Sequence, residues 1–348
     1  MQRRILLARL ALAATWTLLL STTACGGDIA DGPEVWRVAL EEPLGSVQDA
    51  YAQEFKRRIE RATDGAVEVR IYPYGALGTS ADVTEQLRMG ALQFAMASPG
   101  HLGTMIPEVQ VFLLHFLFSD DDGVNRRALA DPALFRFFAP LFGAKGMALL
   151  SVFPEGWMAW TVDREVRAPQ DFAGVKIRTM TSPLLLEAYR AYGAGPQAMP
   201  YAEVYSALQL NMIDAQVNPI FAIEEMSFYE VTSHLVMARH APFIATFTAD
   251  AEFLAAQTSA RRVLIEDTVA ALHPWIFEVQ ARYNEERLER ILERKPELVV
   301  LELEEQERAL FRALSLPVRE IYTATCGPRA AAALEAVLDA VATAAAQD

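Results

Sequence analysis

The chain has 348 residues, 52% hydrophobic and 22% charged, with 18 glycines and 18 prolines. That composition is globular and long enough for two lobes, and it excludes collagen-like and broadly disordered classes. Formal charge is −14, from 45 acidic against 31 basic residues, and residues 1–24 contribute only Arg3, Arg4 and Arg9, so the remainder is more negative still. Such a surface repels phosphate backbones and excludes nucleic acid as the partner, yet it leaves room for a local cationic pocket.

Arg3 and Arg4 precede an apolar run, Leu10 to Leu20, which ends in Ser21-Thr22-Thr23-Ala24-Cys25. A basic start, a short apolar run and then small residues form a secretory signal, too short to span a bilayer. Residues 1–24 are therefore set aside as a signal peptide of the Sec type, and the mature chain is expected in the periplasm. Cys25 is the candidate lipidation site: the small residues before it and Gly26-Gly27-Asp28 after it resemble a lipoprotein processing site, with Thr22 where leucine is usual. Plain cleavage nearby, leaving Cys25 on a soluble chain, is the other reading. Cys326 is the one further cysteine, so no disulfide framework and no cysteine metal site are expected.

After a short linker, Val35–Leu40 predicts a first strand. Ser46 caps a helix whose Val47, Tyr51, Phe55 and Ile59 recur every four residues. Asp64-Gly65 turns the chain into an alternating strand, Ala66–Tyr72, ended by Pro73. A helix over Ala81–Met89 and a strand over Phe94–Ala97 follow, and this alternation is the grammar of a largely parallel α/β sheet. Further strands are predicted at Met147–Phe153, Met158–Val162, Val175–Arg178 and Ile213–Val217. Helices are predicted at Ser182–Tyr192, where Ser182-Pro183 is a cap and first turn, and at Tyr201–Leu210 and Phe221–Tyr229. From Asp250 onward the chain reads as mostly helical, interrupted at Pro274, Pro296, Pro317 and Gly327-Pro328.

Catalytic and metal patterns are absent from the sequence. The five histidines are scattered without metal-ligand spacing, and His115, inside the apolar Val111–Phe118 run, reads as a satisfied core residue. There is no P-loop, nucleophile elbow or GxGxxG after a strand. The cluster Glu302–Glu307 reads as a solvated helix face. Neither an enzyme nor a cofactor is expected.

The informative stretch begins Pro169-Gln170-Asp171-Phe172-Ala173-Gly174-Val175-Lys176-Ile177-Arg178. It continues through Gly193-Ala194-Gly195-Pro196 and Met199-Pro200-Tyr201-Ala202-Glu203-Val204-Tyr205, and closes with Ile213-Asp214-Ala215-Gln216-Val217-Asn218-Pro219. Arg178 falls at the carboxyl end of a predicted strand, the edge where α/β sheets bind ligands. A guanidinium there can hold a carboxylate by two parallel hydrogen bonds. Asn218 holds the corresponding place after the Ile213–Val217 strand, where its amide would complete the carboxylate's shell. Taken singly, each has a plainer reading: a surface ion-pair partner for Arg178, a turn residue for Asn218.

The block as a whole resembles the solute-binding proteins of TRAP transporters, the DctP family, and Tyr72-Pro73-Tyr74-Gly75-Ala76-Leu77-Gly78 and Met89-Gly90-Ala91-Leu92 resemble further elements of it. The resemblance implies a two-lobed α/β periplasmic-binding-protein-like fold with a long C-terminal helical segment crossing the lobes. It divides the chain into a linker at 25–34, lobe I at 35–155 plus 244–283, lobe II at 156–243 plus 284–311, and C-terminal helices at 312–348. It implies a monomer that captures a small organic acid between its lobes and delivers it to the membrane permease subunits. A ligand sensor presenting its closed state to a membrane receptor kinase is the alternative. Arg178 would clamp the carboxylate and Asn218 would orient it. Trp157, Met158 and Trp160 stand where some members carry a second arginine, and would form an apolar wall, with one tryptophan expected in the lobe core instead. That wall leans the ligand toward a monocarboxylate with an apolar or aromatic body over a C4-dicarboxylate. Glu42, of the Glu41-Glu42 pair ending the first strand, faces either the cleft or solvent, and Phe221 completes the candidate site.

Overall fold

Residues 32–347 are described by a computed structural model. The signal segment and Cys25 lie outside the described residues. β1 (Glu34–Ala39) leads to α1 (Val47–Ala62), whose N-cap Ser46 accepts from the backbone N–H of Asp49. The four-residue repeat of Val47, Tyr51, Phe55 and Ile59 puts all four on one face, and each is fully buried. Tyr51 stacks on Phe153 at 4.8 Å and Phe55 meets Phe94 edge-on at 5.2 Å. β2 (Val67–Tyr72), α2 (Ser80–Arg88) and β3 (Phe94–Ala97) follow, and β1 lies between β2 and β3, parallel to both.

α3 (Pro99–Leu102), a 3₁₀ stretch (Pro107–Leu113), α4 (Asp122–Leu129) and α5 (Pro132–Gly143) lead into β4 (Met147–Val162). Two strands are predicted here, and the structure has one of 16 residues. It stays continuous because bulges at Leu149/Ser151 and Pro154/Gly156 absorb the irregular residues, with Gly156 at φ 141°. Up to Trp157, β4 pairs with β9 (Pro242–Asp250), and from Met158 to Val162 it pairs with β7 (Ala215–Pro219). One strand thus belongs to both halves of the sheet.

The second half adds β5 (Lys176–Thr179), α6 (Pro183–Ala191), β6 (Gly195–Ala198), α7 (Val204–Gln209), α8 (Ile220–Glu225) and β8 (His234–Met237). β5 runs parallel to β6 and β7, and the sheet order is β2-β1-β3-β9-β4-β7-β5-β6. β6 is an edge strand, which is how it accommodates Pro196.

The C-terminal part comprises α9 (Ala251–Ala256), α10 (Ser259–Arg294), β10 (Val299–Glu302), α11 (Glu305–Thr325) and α12 (Ala330–Ala345). The expected breaks at Pro274 and Pro317 do not occur, since α10 and α11 run through them. Packing explains this: α10, 36 residues and about 54 Å long, lies against α1, β4 and α8, which outweighs one lost backbone hydrogen bond. Pro296 does fall in a break, between α10 and β10, and Gly327-Pro328 separates α11 from α12. No helix among the described residues is long and apolar enough to cross a membrane.

Candidate functional site

Parallel strands all point their carboxyl ends one way, and the residues just beyond those ends meet around a cavity of about 270 Å³. Glu41 and Glu42 follow β1, Tyr74 follows β2, and His101 lies in α3 after β3. Arg178 and Met180 come from the end of β5, Tyr201 from the turn before α7, and Asn218 from β7. Phe243 of β9 completes the wall. Both halves of the sheet therefore contribute.

Arg178 is 2% exposed. Its Nε and Nη2 donate to the carbonyl oxygen of Met199 at 3.1 and 3.0 Å, and its guanidinium stands 5.8 Å from the ring centre of Tyr201. Burial pulls its pKa down to about 10, which leaves it a cation at neutral pH. Asn218 is held by its neighbour: Nδ2 donates to Gln216 Oε1 at 2.5 Å, and Gln216 in turn donates to Thr161 Oγ1 at 3.0 Å. One amide hydrogen and the amide oxygen of Asn218 are left for a ligand.

Glu42 is the chemical opposite of Arg178. It is 6% exposed, and its Oε2 is buried without a hydrogen-bond donor. Burial, reinforced by Glu155, Glu225 and Glu41, pushes its carboxyl well above the ordinary range against the pull of Arg178. The hydroxyl of Tyr201 is likewise buried without a partner, and its ring meets Tyr74 edge-on at 5.8 Å. Glu41 is tied down: Oε2 accepts from the Ser98 backbone N–H at 2.7 Å, and Oε1 lies 3.0 Å from His101 Nδ1. Burial of His101 disfavours its charge, but the Glu41 carboxylate prevails and raises its pKa. Among the described residues no group of three or more His, Cys, Asp or Glu is arranged to hold a metal ion.

Residues 39–324 match the DctP family, bacterial extracellular solute-binding protein family 7. The chain belongs to that family. This DctP protein is 37% identical over 326 residues to the ectoine/5-hydroxyectoine-binding periplasmic protein of Ruegeria pomeroyi, covering 93% of this chain and 94% of the relative. The solved ectoine-binding protein of the Halomonas elongata TRAP transporter superposes with a TM-score of 0.85 at 35% identity, over 89% of this chain and 100% of its own. A TRAP periplasmic solute-binding protein from Marinobacter aquaeolei, solved in an apo open state, gives 0.84 at 44% identity, over 87% and 99%. The fold is the two-lobed TRAP solute-binding fold, and the protein is a binding subunit and not an enzyme.

Of the predicted site residues, the DctP cavity gathers Arg178, Asn218 and Glu42. Trp157, Met158, Trp160 and Phe221 do not line it. The pleat supplies the reason for the tryptophans, since residues three apart in a strand face opposite sides. Trp160 turns into the core, fully buried, with its indole N–H donating to Tyr189 Oη at 3.0 Å. Trp157 points the other way, under the Arg239 guanidinium at 5.0 Å, and with Met158 lines a separate cavity of about 330 Å³. Phe221 is fully buried in the first turn of α8. Conversely, Tyr74, His101, Met180 and Tyr201 reach the DctP cavity unpredicted. Tyr74 and Tyr201 both stand in the motif segments, so the sequence marked the segments without marking which side chain turns inward.

Proposed function

We propose that this protein captures a small zwitterion, a carboxylate joined to a delocalised organic cation as in ectoine, and hands it to the membrane permease of a TRAP transporter from the periplasm. The observation that carries this reading is a single one: Arg178 and the buried, unpartnered carboxyl of Glu42 line the same small cavity. In this reading the free edge of the Arg178 guanidinium takes the carboxylate, Asn218 adds a hydrogen bond, and Glu42 takes the cation. Tyr74 and Tyr201, in place of the expected tryptophans, supply the flat apolar surface for the ring. A dicarboxylate fits poorly, because one of its ends would meet Glu42 with no second guanidinium in the lining. The two ectoine-binding relatives agree with the choice of ligand.

Closure follows from the same geometry. A ligand touching residues from both halves of the sheet is bound best when they are together, so it draws an open state closed. The chain sections on either side of Gly156 in β4 would then be the two lobes.

Isothermal calorimetry with ectoine and succinate tests the reading. Ectoine is expected to bind and succinate to give no heat of binding; the reverse order would overturn the zwitterion assignment.

A further inference from the structure

His101 lines the ligand cavity, and its surroundings fix where its protons sit. Two oxygens crowd one ring nitrogen: Nδ1 stands 3.0 Å from Glu41 Oε1 and 3.1 Å from Ser98 Oγ. Glu41 Oε1 is buried and meets no other donor among the described residues, while Oε2 is taken up by the Ser98 backbone N–H at 2.7 Å. A carboxylate oxygen only accepts, so a proton on Nδ1 is what satisfies it. The other ring nitrogen, Nε2, has no hydrogen-bond partner among the described residues, and the side chain is 31% exposed against 4% for Glu41.

With Nδ1 engaged, the charge of the ring is decided at Nε2. A bare Nε2 accepts a hydrogen bond, and a protonated one makes the ring a second cation in a lining that already holds Arg178. We propose that His101 is a specificity-determining residue of the cleft: its neutral ring accepts an N–H of the ligand's cationic group through Nε2, and its protonated ring repels that group. This rests on the zwitterion reading above. Glu41 acts through the ring, because holding the Nδ1 proton leaves the bare nitrogen for the ligand. Glu41 and Glu42 are consecutive, so one strand end supplies both the carboxylate that orients the ring and the carboxyl that meets the cation. Where the empty protein carries the protonated ring, binding sends the Nε2 proton to solvent, and the lone pair left behind accepts the ligand N–H.

The titratable groups sharing the cavity with His101 are Glu41 and Glu42 after β1, Tyr74 after β2, Arg178 of β5 and Tyr201 before α7. Asp82 of α2 is occupied by the Thr79 N–H at 2.8 Å, and Glu108 of the 3₁₀ stretch is turned to the Arg329 N–H at 3.4 Å. Burial opposes a charge on the ring, and the nearby Glu41 carboxylate overrides it and lifts the pKa above the ordinary 6.5. A ligand that needs the neutral ring pulls that value back down, and its own affinity rises with pH through the ring's titration.

NMR of the His101 ring in the mature chain, followed between about pH 5 and pH 9, tests this directly. Saturating ectoine should move the midpoint down by about one pH unit or more, which is about a tenfold preference for the neutral ring. Ectoine affinity measured by calorimetry should rise over the same interval. Glu42 loses its own proton as pH rises and adds to that slope, so His101→Gln separates the two. That variant keeps a neutral polar group at the position, should bind ectoine within about tenfold of the unaltered chain in mild alkali, and should show a shallower rise with pH. An unchanged ring midpoint on adding ectoine, or an unchanged slope in a folded His101→Gln variant, overturns this proposal alone. Absence of ectoine binding at every pH overturns it together with the zwitterion reading. The ring midpoint on the unaltered chain decides the matter if the variant does not fold.

Discussion

Arg178 donates from both Nε and Nη2 to the carbonyl oxygen of Met199, at 3.1 and 3.0 Å. The backbone just before Pro200 thereby fixes one edge of the guanidinium and aims the rest, so the cation is pre-organised before any ligand arrives.

That relationship separates two substitutions. Arg178→Ala removes the cation from a buried site and should weaken ectoine binding by roughly thirtyfold or more, the effect of about 2 kcal/mol or greater. Arg178→Lys keeps the charge, but an ammonium cannot hold the Met199 carbonyl and a carboxylate in one planar fork, so most of the loss should remain. Calorimetric affinities near that of the unaltered chain for both variants would remove Arg178 from the site.

The two tryptophans of β4 should behave oppositely. Trp160 is enclosed by Phe172, Phe311, Tyr189 and His240. Trp160→Ala should therefore destabilise the fold by about 3–5 kcal/mol, seen in chemical denaturation. Trp157→Phe should leave ectoine affinity within about threefold, because the indole lies outside the cavity and loses only its hydrogen bond to Asp122 at 3.3 Å. A large loss of binding in Trp157→Phe would return that residue to the ligand wall.

This contrast shows what the sequence could and could not convey. The places of Arg178 and Asn218 at strand ends were legible because strand ends and helix caps are local signals, and Ser182 does cap α6 where the sequence placed it, whereas only the family resemblance singled the two out for a ligand. Glu42 was half legible, placed at a strand end with its direction open. The two tryptophans cannot share one wall, because residues three apart in a strand face opposite sides, and which of them turns into the core is set only once β4 is paired with its neighbours. β9 itself, buried along its whole length, went unpredicted, although Thr246, Thr248 and Asp250 alternate with Ala245, Phe247 and Ala249 at the period of a strand.

Gly156 offers a test of the strand that both halves share. Its φ of 141° is open to glycine and strained for other residues, and a Cβ there would run into the Asn284 carboxamide. That amide donates to Glu155 O at 2.9 Å and Gln280 O at 2.7 Å and accepts from the Phe221 N–H at 3.1 Å, joining β4, α10 and α8. Gly156→Ala should cost about 1–3 kcal/mol of stability from backbone strain alone. An unchanged denaturation midpoint would mean that the strand relaxes freely at this point.

Finally, the buried carboxyls and histidines pull the stability of the ligand-free protein in opposite directions with pH. Glu155 and Glu225 rise from an ordinary 4.5 to about 8 in the folded chain, mainly through burial. The folded state therefore binds more protons than the unfolded state between those values, and stability falls as pH rises through that window. His115, hydrogen-bonded to Tyr192 Oη at 2.7 Å, is pushed by burial from 6.5 down to about 3. There the unfolded state binds the extra proton, so stability is lost as pH falls below 6.5. The two effects oppose each other in mild acid, and above 6.5 His115 no longer contributes while the carboxyls still do. Thermal melts without ligand should therefore fall between about pH 6.5 and 8, by at most about 1.4 kcal/mol per pH unit for each carboxyl. Glu155→Gln with Glu225→Gln should abolish most of that alkaline loss and leave the acid loss from His115 in place. A ligand-free melting temperature that rises steadily from pH 6.5 to 8 would show that these carboxyls are ionised in the folded protein.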